Sequence, residues 1–146
     1  MEMTDLLTPD SVIDGLKVTS KKQVLQDLSD RASVLTGLNA REVLETILAR
    51  ERLGTTGVGQ GIAIPHGRMD DLDRIYGLFA RLNKPIDFDS LDEQPVDLVF
   101  MLLAPEGAGA DHLKALAKIS RLLRNQTICK KLRGSDSSAA LYALLT

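Results

Sequence analysis

The stretch Gly54-Thr55-Thr56-Gly57-Val58-Gly59-Gln60-Gly61-Ile62-Ala63-Ile64-Pro65-His66-Gly67-Arg68 sets four glycines ahead of a short apolar strand that delivers a histidine. A glycine loop by itself equally suits a turn-rich surface segment. Nucleotide-binding patterns do not fit it: no Gly-Lys-Ser/Thr end closes a P-loop, and the loop precedes the strand, the reverse of a Rossmann fingerprint. His66 follows a proline and precedes a glycine at the expected end of that strand, where a side chain can be held rigidly amid backbone groups. A neutral imidazole, with an ordinary pKa of ~6.5, has one ring nitrogen free to attack while the other donates a hydrogen bond that fixes the tautomer. The residue type thus allows a nucleophile, and equally an ordinary loop histidine.

The second histidine, His112, directly follows Asp111, the expected N-cap of a helix. Backbone N–H groups and the positive end of a helix favour an anion there. A phosphoryl group on a nearby His66 would carry close to two negative charges and three strong acceptors, so a helix start, a second imidazole and an arginine would suit it. Arg50 and Arg52 immediately precede the glycine loop, and either could fold back as a forked donor. Arginines in a last helical turn are also commonly solvated partners of the helix dipole. Thr55 and Thr56 offer hydroxyl donors or simply start a turn. Two histidines with no cysteine partner and no recognisable carboxylate spacing fall short of a metal ligand set.

These residues need elements to place them. Ser20-Lys21-Lys22-Gln23 has the form of a capping box, after which Val24, Leu25, Leu28, Ala32 and Leu35 share one helical face before Gly37. Asn39 can cap a second helix, with Val43, Leu44, Ile47 and Leu48 on its apolar face, Arg50, Glu51 and Arg52 in its last turn and Gly54 beyond. Ile62 to Ile64, Ile75 to Leu82 and Val96 to Leu103 are β-compatible runs bounded by Pro65, Asn83, Pro95 and Pro105. The last is almost continuously apolar, as a strand covered on both faces requires. Helices return from Asp111 through Leu113, Leu116, Ala117, Leu122 and Leu123, over Thr127 to Arg133, and over Ser137 to Leu145. The expected fold is therefore α/β: a single three-layer domain over residues 1–146, its sheet flanked by helices on both faces.

Composition narrows the function classes. The 146 residues carry 18 Lys+Arg against 20 Asp+Glu, a net charge of −2, with five aromatic residues and no Trp. Neither a basic footprint nor a base-stacking platform is present, which argues against nucleic acid as a partner. The longest apolar run, Leu98 to Ala104, is far short of a bilayer span, and MEMTDLLTPD does not read as a signal peptide, so a cytoplasmic location without membrane insertion is expected. Cys129, the single cysteine, is read as a structural or incidental thiol.

Taken together, Arg50-Glu51-Arg52-Leu53, the glycine loop through Pro65-His66-Gly67, Pro95-Val96-Asp97-Leu98-Val99-Phe100 and Asp111-His112-Leu113 resemble the enzyme IIA component of the phosphoenolpyruvate-dependent phosphotransferase system, fructose/mannitol class. The resemblance runs over nearly the whole chain and is greatest to the nitrogen-regulatory branch of that class, with a standalone sugar-specific IIA as the alternative. It implies a mixed sheet flanked by helices on both sides. It also implies that His66 accepts a phosphoryl group on Nε2, that His112 and Arg50 help hold it, and that Thr56, Gly57 and Gly59 form the loop beside it. Arg52 and Arg68 fall where the family varies, so the resemblance assigns them no chemistry. No cofactor or metal is implied. The implied partners are a nitrogen-branch histidine phosphocarrier as donor, with regulatory targets such as potassium transport or sensor-kinase components. Another class of function is a protein-binding regulatory module that takes no phosphoryl group.

Overall fold

In the computed structural model, which describes residues 1–146, the apolar run of the middle of the chain lies inside a six-stranded mixed sheet. In chain order the elements are β1 (Val12–Leu16), α1 (Lys21–Thr36), α2 (Ala40–Leu53), β2 (Gly57–Gly59), β3 (Ile62–Ala63), β4 (His66–Met69), β5 (Tyr76–Ile86), β6 (Val96–Pro105), α3 (Ala110–Arg124), α4 (Gln126–Arg133) and α5 (Ser138–Leu145). The sheet runs β1-β5-β6-β3-β2, and β4 also pairs with β6. The β5–β6 and β2–β3 pairs are antiparallel, whereas β1–β5, β3–β6 and β4–β6 are parallel.

Strand alternation sorts the β6 side chains between two cores. Val99, Met101 and Leu103 join Leu78 and Ala80 of β5 under Val24, Leu25 and Leu28 of α1 and Val43 and Ile47 of α2. Leu98, Phe100 and Leu102 join Phe79 on the other face, beneath α3, α4 and α5. Both faces of β6 are thus dry, and its apolar pattern is continuous for that reason. The expected three-layer α/β arrangement is what the chain adopts. No helix is long and apolar enough to cross a membrane.

The helix ends follow their local chemistry. Ser20 Oγ accepts the Gln23 N–H at 3.1 Å, while Gln23 Oε1 reaches past the cap to the Thr19 N–H at 2.7 Å, a box displaced by one residue. Asn39 Oδ1 accepts from the N–H groups of Arg41 and Glu42. Asp111 is not the cap of α3. Gly109, at φ +56°, turns the chain out of the short Glu106–Ala108 turn, so the helix starts at Ala110 and Asp111 lies within its first turn. Only glycine takes that φ readily, which moves the helix start ahead of the residue with the better capping side chain.

Three strands escape the periodicity reading. β1 is short and carries Asp14 and Gly15, and its register on β5 shifts between Ile13 and Leu16. β2 consists of Gly57, Val58 and Gly59, residues that read as loop. β4 begins at His66, so the histidine opens a strand of its own rather than ending the preceding one. β5 also continues past Asn83 to Ile86, with a register shift on β6 between Arg81 and Ile86.

The glycines of β2 serve close packing. A Cβ at Gly57 would collide with Ser90 Oγ and lie 3.1 Å from Ser90 Cα, and one at Gly59, where φ is +105°, would lie 3.1 Å from Asp92 Oδ2. Gly57→Ala is expected to destabilise the protein by about 1–3 kcal/mol, the usual cost of overpacking. Urea denaturation of Gly57→Ala and of Gly57→Ala/Ser90→Ala checks the cause. The double variant should recover only part of the loss, because the Ser90 backbone also crowds the site.

Candidate functional site

The site forms where three segments end close together: the last turn of α2, the break between β3 and β4, and the first turn of α3. β3 and β4 are one interrupted strand, both parallel to β6, with Ile62 opposite Leu98 and His66 opposite Leu102. The break falls at Ile64-Pro65, where proline has no N–H to give the ladder. The Ile64 carbonyl instead accepts from His66 Nδ1 at 2.8 Å. A carbonyl can only accept, so Nδ1 carries the proton and Nε2 keeps its lone pair. Arg50 Nε donates to that Nε2 at 3.3 Å, and Arg50 Nη1 donates to the Gly54 carbonyl at 2.8 Å, which braces the guanidinium against the end of its own helix. Arg52, two residues on, is exposed and makes no side-chain hydrogen bond.

His112 occupies the third position of α3, on the buried face it shares with Ala115, Ile119 and Leu123. Its ring lies edge-on to that of His66, centroids 5.8 Å apart and planes at 78°. Arg68 Nε donates to His112 Nδ1 at 2.9 Å, and Arg68 Nη1 reaches the Glu106 carbonyl at 3.4 Å. His112 Nε2 is buried with no hydrogen-bond partner. The two imidazoles are therefore held in opposite tautomers, His66 presenting a bare Nε2 and His112 an Nε2–H.

Electrostatics keep both rings neutral. Burial is the largest influence lowering the His66 pKa below 6.5; the hydrogen bond to Ile64 and the charge of Glu51 oppose it, and the charge of Arg50 adds to it. Burial, then the charge of Arg68, then that of His66 lower His112. Phosphoryl uptake that needs a neutral His66 should accordingly stay flat as pH falls through 6.5 and decline only at lower pH. Initial rates of uptake between pH 8 and 5 check this, and a midpoint above 6.5 would contradict it.

Two residues that sequence reasoning left aside help to build the site. Glu51 is almost fully buried, takes an ion pair from Lys21 at 3.0 Å, and accepts the Thr56 N–H on both carboxylate oxygens at 3.2 Å. It thereby pins the start of the glycine loop to α2. Arg68 is the other; the alternation of β4 carried the signal, since the residue two places after His66 returns to the same side of the strand. Thr55 Oγ1 donates to the Phe88 carbonyl and accepts the Gly57 N–H, while Thr56 Oγ1 is buried without a partner. The Gly57 N–H is thus already engaged, and the Cβ positions of Gly57 and Gly59 face Ser90 and Asp92. Cys129 lies apart from the site, buried, with its thiol donating to the Leu123 carbonyl.

None of the five best-formed clefts is lined by His66 or His112; one of about 480 Å³ lies instead between the β2–β3 turn and α3. His66 is half-buried and His112 is buried, so the pair is only partly open to solvent. Large apolar side chains stand exposed nearby in the chain: Leu53 beyond Arg50 (84% exposed), Val58 in β2 (56%) and Leu113 beside His112 (66%). No three His, Cys, Asp or Glu side chains are grouped as a metal site requires.

Sequence comparison identifies the class of protein that carries this site. The family model for the phosphoenolpyruvate-dependent sugar phosphotransferase system, EIIA 2, matches residues 5–146, and the chain belongs to that family. It is a IIA component, a phosphotransfer protein.

Within the family the chain groups with the nitrogen-regulatory members. It is 62% identical over 145 residues to the nitrogen regulatory protein of Bradyrhizobium diazoefficiens, covering 99% of this chain and 95% of that one. It is 40% identical over 147 residues to the nitrogen regulatory protein of Klebsiella oxytoca, covering 100% and 91%. The crystal structure of nitrogen regulatory protein IIA-Ntr from Neisseria meningitidis superposes with a TM-score of 0.94 at 35% identity, covering 99% of both chains.

Proposed function

We propose that the chain is a phosphoryl carrier that accepts its group on His66 Nε2 from a histidine phosphocarrier protein of the nitrogen branch. The observation that carries the reading is the pairing of opposite tautomers: a bare His66 Nε2 faced by Arg50, beside a buried His112 Nε2–H that lacks an acceptor. Three phosphoryl oxygens on His66 would supply acceptors for both donors.

Transfer is an in-line displacement. The N–P bond to His66 Nε2 forms as the N–P bond of the donor histidine breaks, and the departing imidazole leaves neutral with its own nitrogen lone pair restored. His66 keeps its Nδ1 proton on the Ile64 carbonyl throughout, so no general base is needed. The work left to this chain is positioning and charge stabilisation. Arg50 and His112 supply fixed donors to the equatorial oxygens. Thr56, whose buried hydroxyl has no partner, adds a third, while Gly57 and Gly59 allow the loop beside it to pack closely on Ser90 and Asp92.

The exposed Leu53, Val58 and Leu113 suit a protein partner docking over the histidines. Two charges added at the centre of that surface would change what it binds, and phosphorylation state then regulates partners in the cytoplasm, potassium transport or sensor-kinase components among them. The test is intact mass after incubation with phosphoenolpyruvate, enzyme I and the nitrogen-branch phosphocarrier. An acid-labile gain of one phosphoryl group supports the carrier. Faster uptake from the sugar-branch carrier would favour a sugar-specific IIA. No gain from either donor, while a control IIA is labelled, would leave a binding module.

A further inference from the structure

We propose that Arg68 is a positioning residue that holds His112 in one orientation and one tautomer, with Nδ1 as acceptor and Nε2–H turned toward the position a phosphoryl group on His66 would occupy. The use of that Nε2–H rests on the carrier reading above; the hold itself does not.

Three observations converge. Arg68 Nε, a donor that cannot lose its proton, is 2.9 Å from His112 Nδ1, so Nδ1 must carry the lone pair and the ring proton must sit on Nε2. The guanidinium is braced in turn by the Glu106 carbonyl, just before the turn that starts α3, so Arg68 ties β4 to the segment that delivers His112. His112 Nε2 is buried with no partner. A buried donor left unpaired costs free energy, and a ring free to flip would relieve part of that cost by turning Nδ1 inward. The Arg68 hydrogen bond opposes the flip and keeps the proton on Nε2, in a ring 5.8 Å from that of His66 between centroids. Paired electrostatics act in the same direction, since the charges facing His112 are Arg68 and, when protonated, His66, both from β4, and each disfavours an imidazolium.

Arg68 differs in kind from Arg50. Arg50 addresses the reacting nitrogen itself, whereas Arg68 acts on the ring that addresses the phosphoryl group. Its side chain is largely exposed and it joins no ion pair, so Arg68→Met should fold normally.

The experiment is ¹⁵N NMR of the imidazole nitrogens in unphosphorylated wild type and Arg68→Met, with amide spectra to establish that the fold is kept. In wild type His112 should be protonated at Nε2 and bare at Nδ1, titrating below 6.5. In Arg68→Met its titration midpoint should rise, because one of the charges that lowers it is gone, and the Nδ1 resonance should lose its hydrogen-bond shift. A wild-type His112 protonated at Nδ1, or an unchanged midpoint and Nδ1 resonance in a folded Arg68→Met, would overturn the proposal. The equilibrium for transfer from the phosphocarrier to His66 should also fall about 3- to 10-fold in Arg68→Met. If wild type takes no phosphoryl group, the carrier reading fails on that arm, while the NMR arm still decides whether Arg68 holds His112.

Discussion

His66→Ala is expected to take up no phosphoryl group under conditions that label the wild type completely, as read by intact mass before and after acid treatment. The expectation is total loss because no other side chain can replace it. The second imidazole has its Nδ1 engaged by Arg68 and its Nε2 protonated and buried, so it offers no bare nitrogen to a donor. The loss should not come from unfolding. His66 opens β4, where its backbone pairs opposite Leu102 whatever the side chain, and removing the ring gives up one hydrogen bond to the Ile64 carbonyl, about 1 kcal/mol. Thermal unfolding monitored by circular dichroism should therefore show a folded variant. Acid-labile label on a folded His66→Ala would place the acceptor elsewhere and remove the basis of the mechanism.

The second large effect is on rate. Arg50→Ala should slow phosphoryl uptake by about 10²–10³-fold, the usual consequence of deleting one preorganised donor to charge that develops in a transition state. Arg50 meets the conditions for an effect of that size. Its Nε lies 3.3 Å from the accepting nitrogen, and its Nη1 is anchored on Gly54, so little ordering remains to be done when the phosphoryl group arrives. Arg50→Lys should recover only part of the rate, since an ammonium keeps the charge but cannot reach both the site and the Gly54 carbonyl in a fixed fork. A second signature distinguishes this from a general disturbance. Arg50 helps to lower the His66 pKa, so its removal should move the acid limb of the uptake profile to higher pH. A rate unchanged within a few fold in Arg50→Ala, measured by rapid quench, would assign charge stabilisation to other groups. Arg52→Ala serves as the control and should behave as wild type, because Arg52 is exposed and makes no hydrogen bond to the site.

Leu53 at the end of α2, Val58 in β2 and Leu113 in α3 are exposed, although nothing in the helical periodicity of α2 or α3 marks them out. Leu113 adjoins His112 in sequence, yet the helix turns one side chain into the core and the other to solvent. Apolar residues at such positions are costly for a free monomer and, on the proposed carrier reading, suit a partner docking near His66.

What the sequence determined by itself was the layering, and through its family resemblance it pointed to His66 as the candidate acceptor. The two-sided apolar pattern of β6 demanded helices on both faces, the caps at Ser20 and Asn39 placed α1 and α2, and the glycine loop ending in Pro65-His66 singled out one histidine. These features are local or periodic, so they are legible along one dimension. Only the tertiary structure decided which arginine serves which ring. Arg50 and Arg52 have similar local surroundings at the end of α2, and the turn of the helix alone directs Arg50 to His66. Arg68 and His112 stand 44 positions apart and meet because β4 pairs with the far end of β6, from which the chain leads directly into α3. β2 and β4 were hidden for the same reason: three residues with two glycines, or four beginning with a histidine, carry too little pattern of their own and become strands only when β3 and β6 lie alongside to complete their hydrogen bonds.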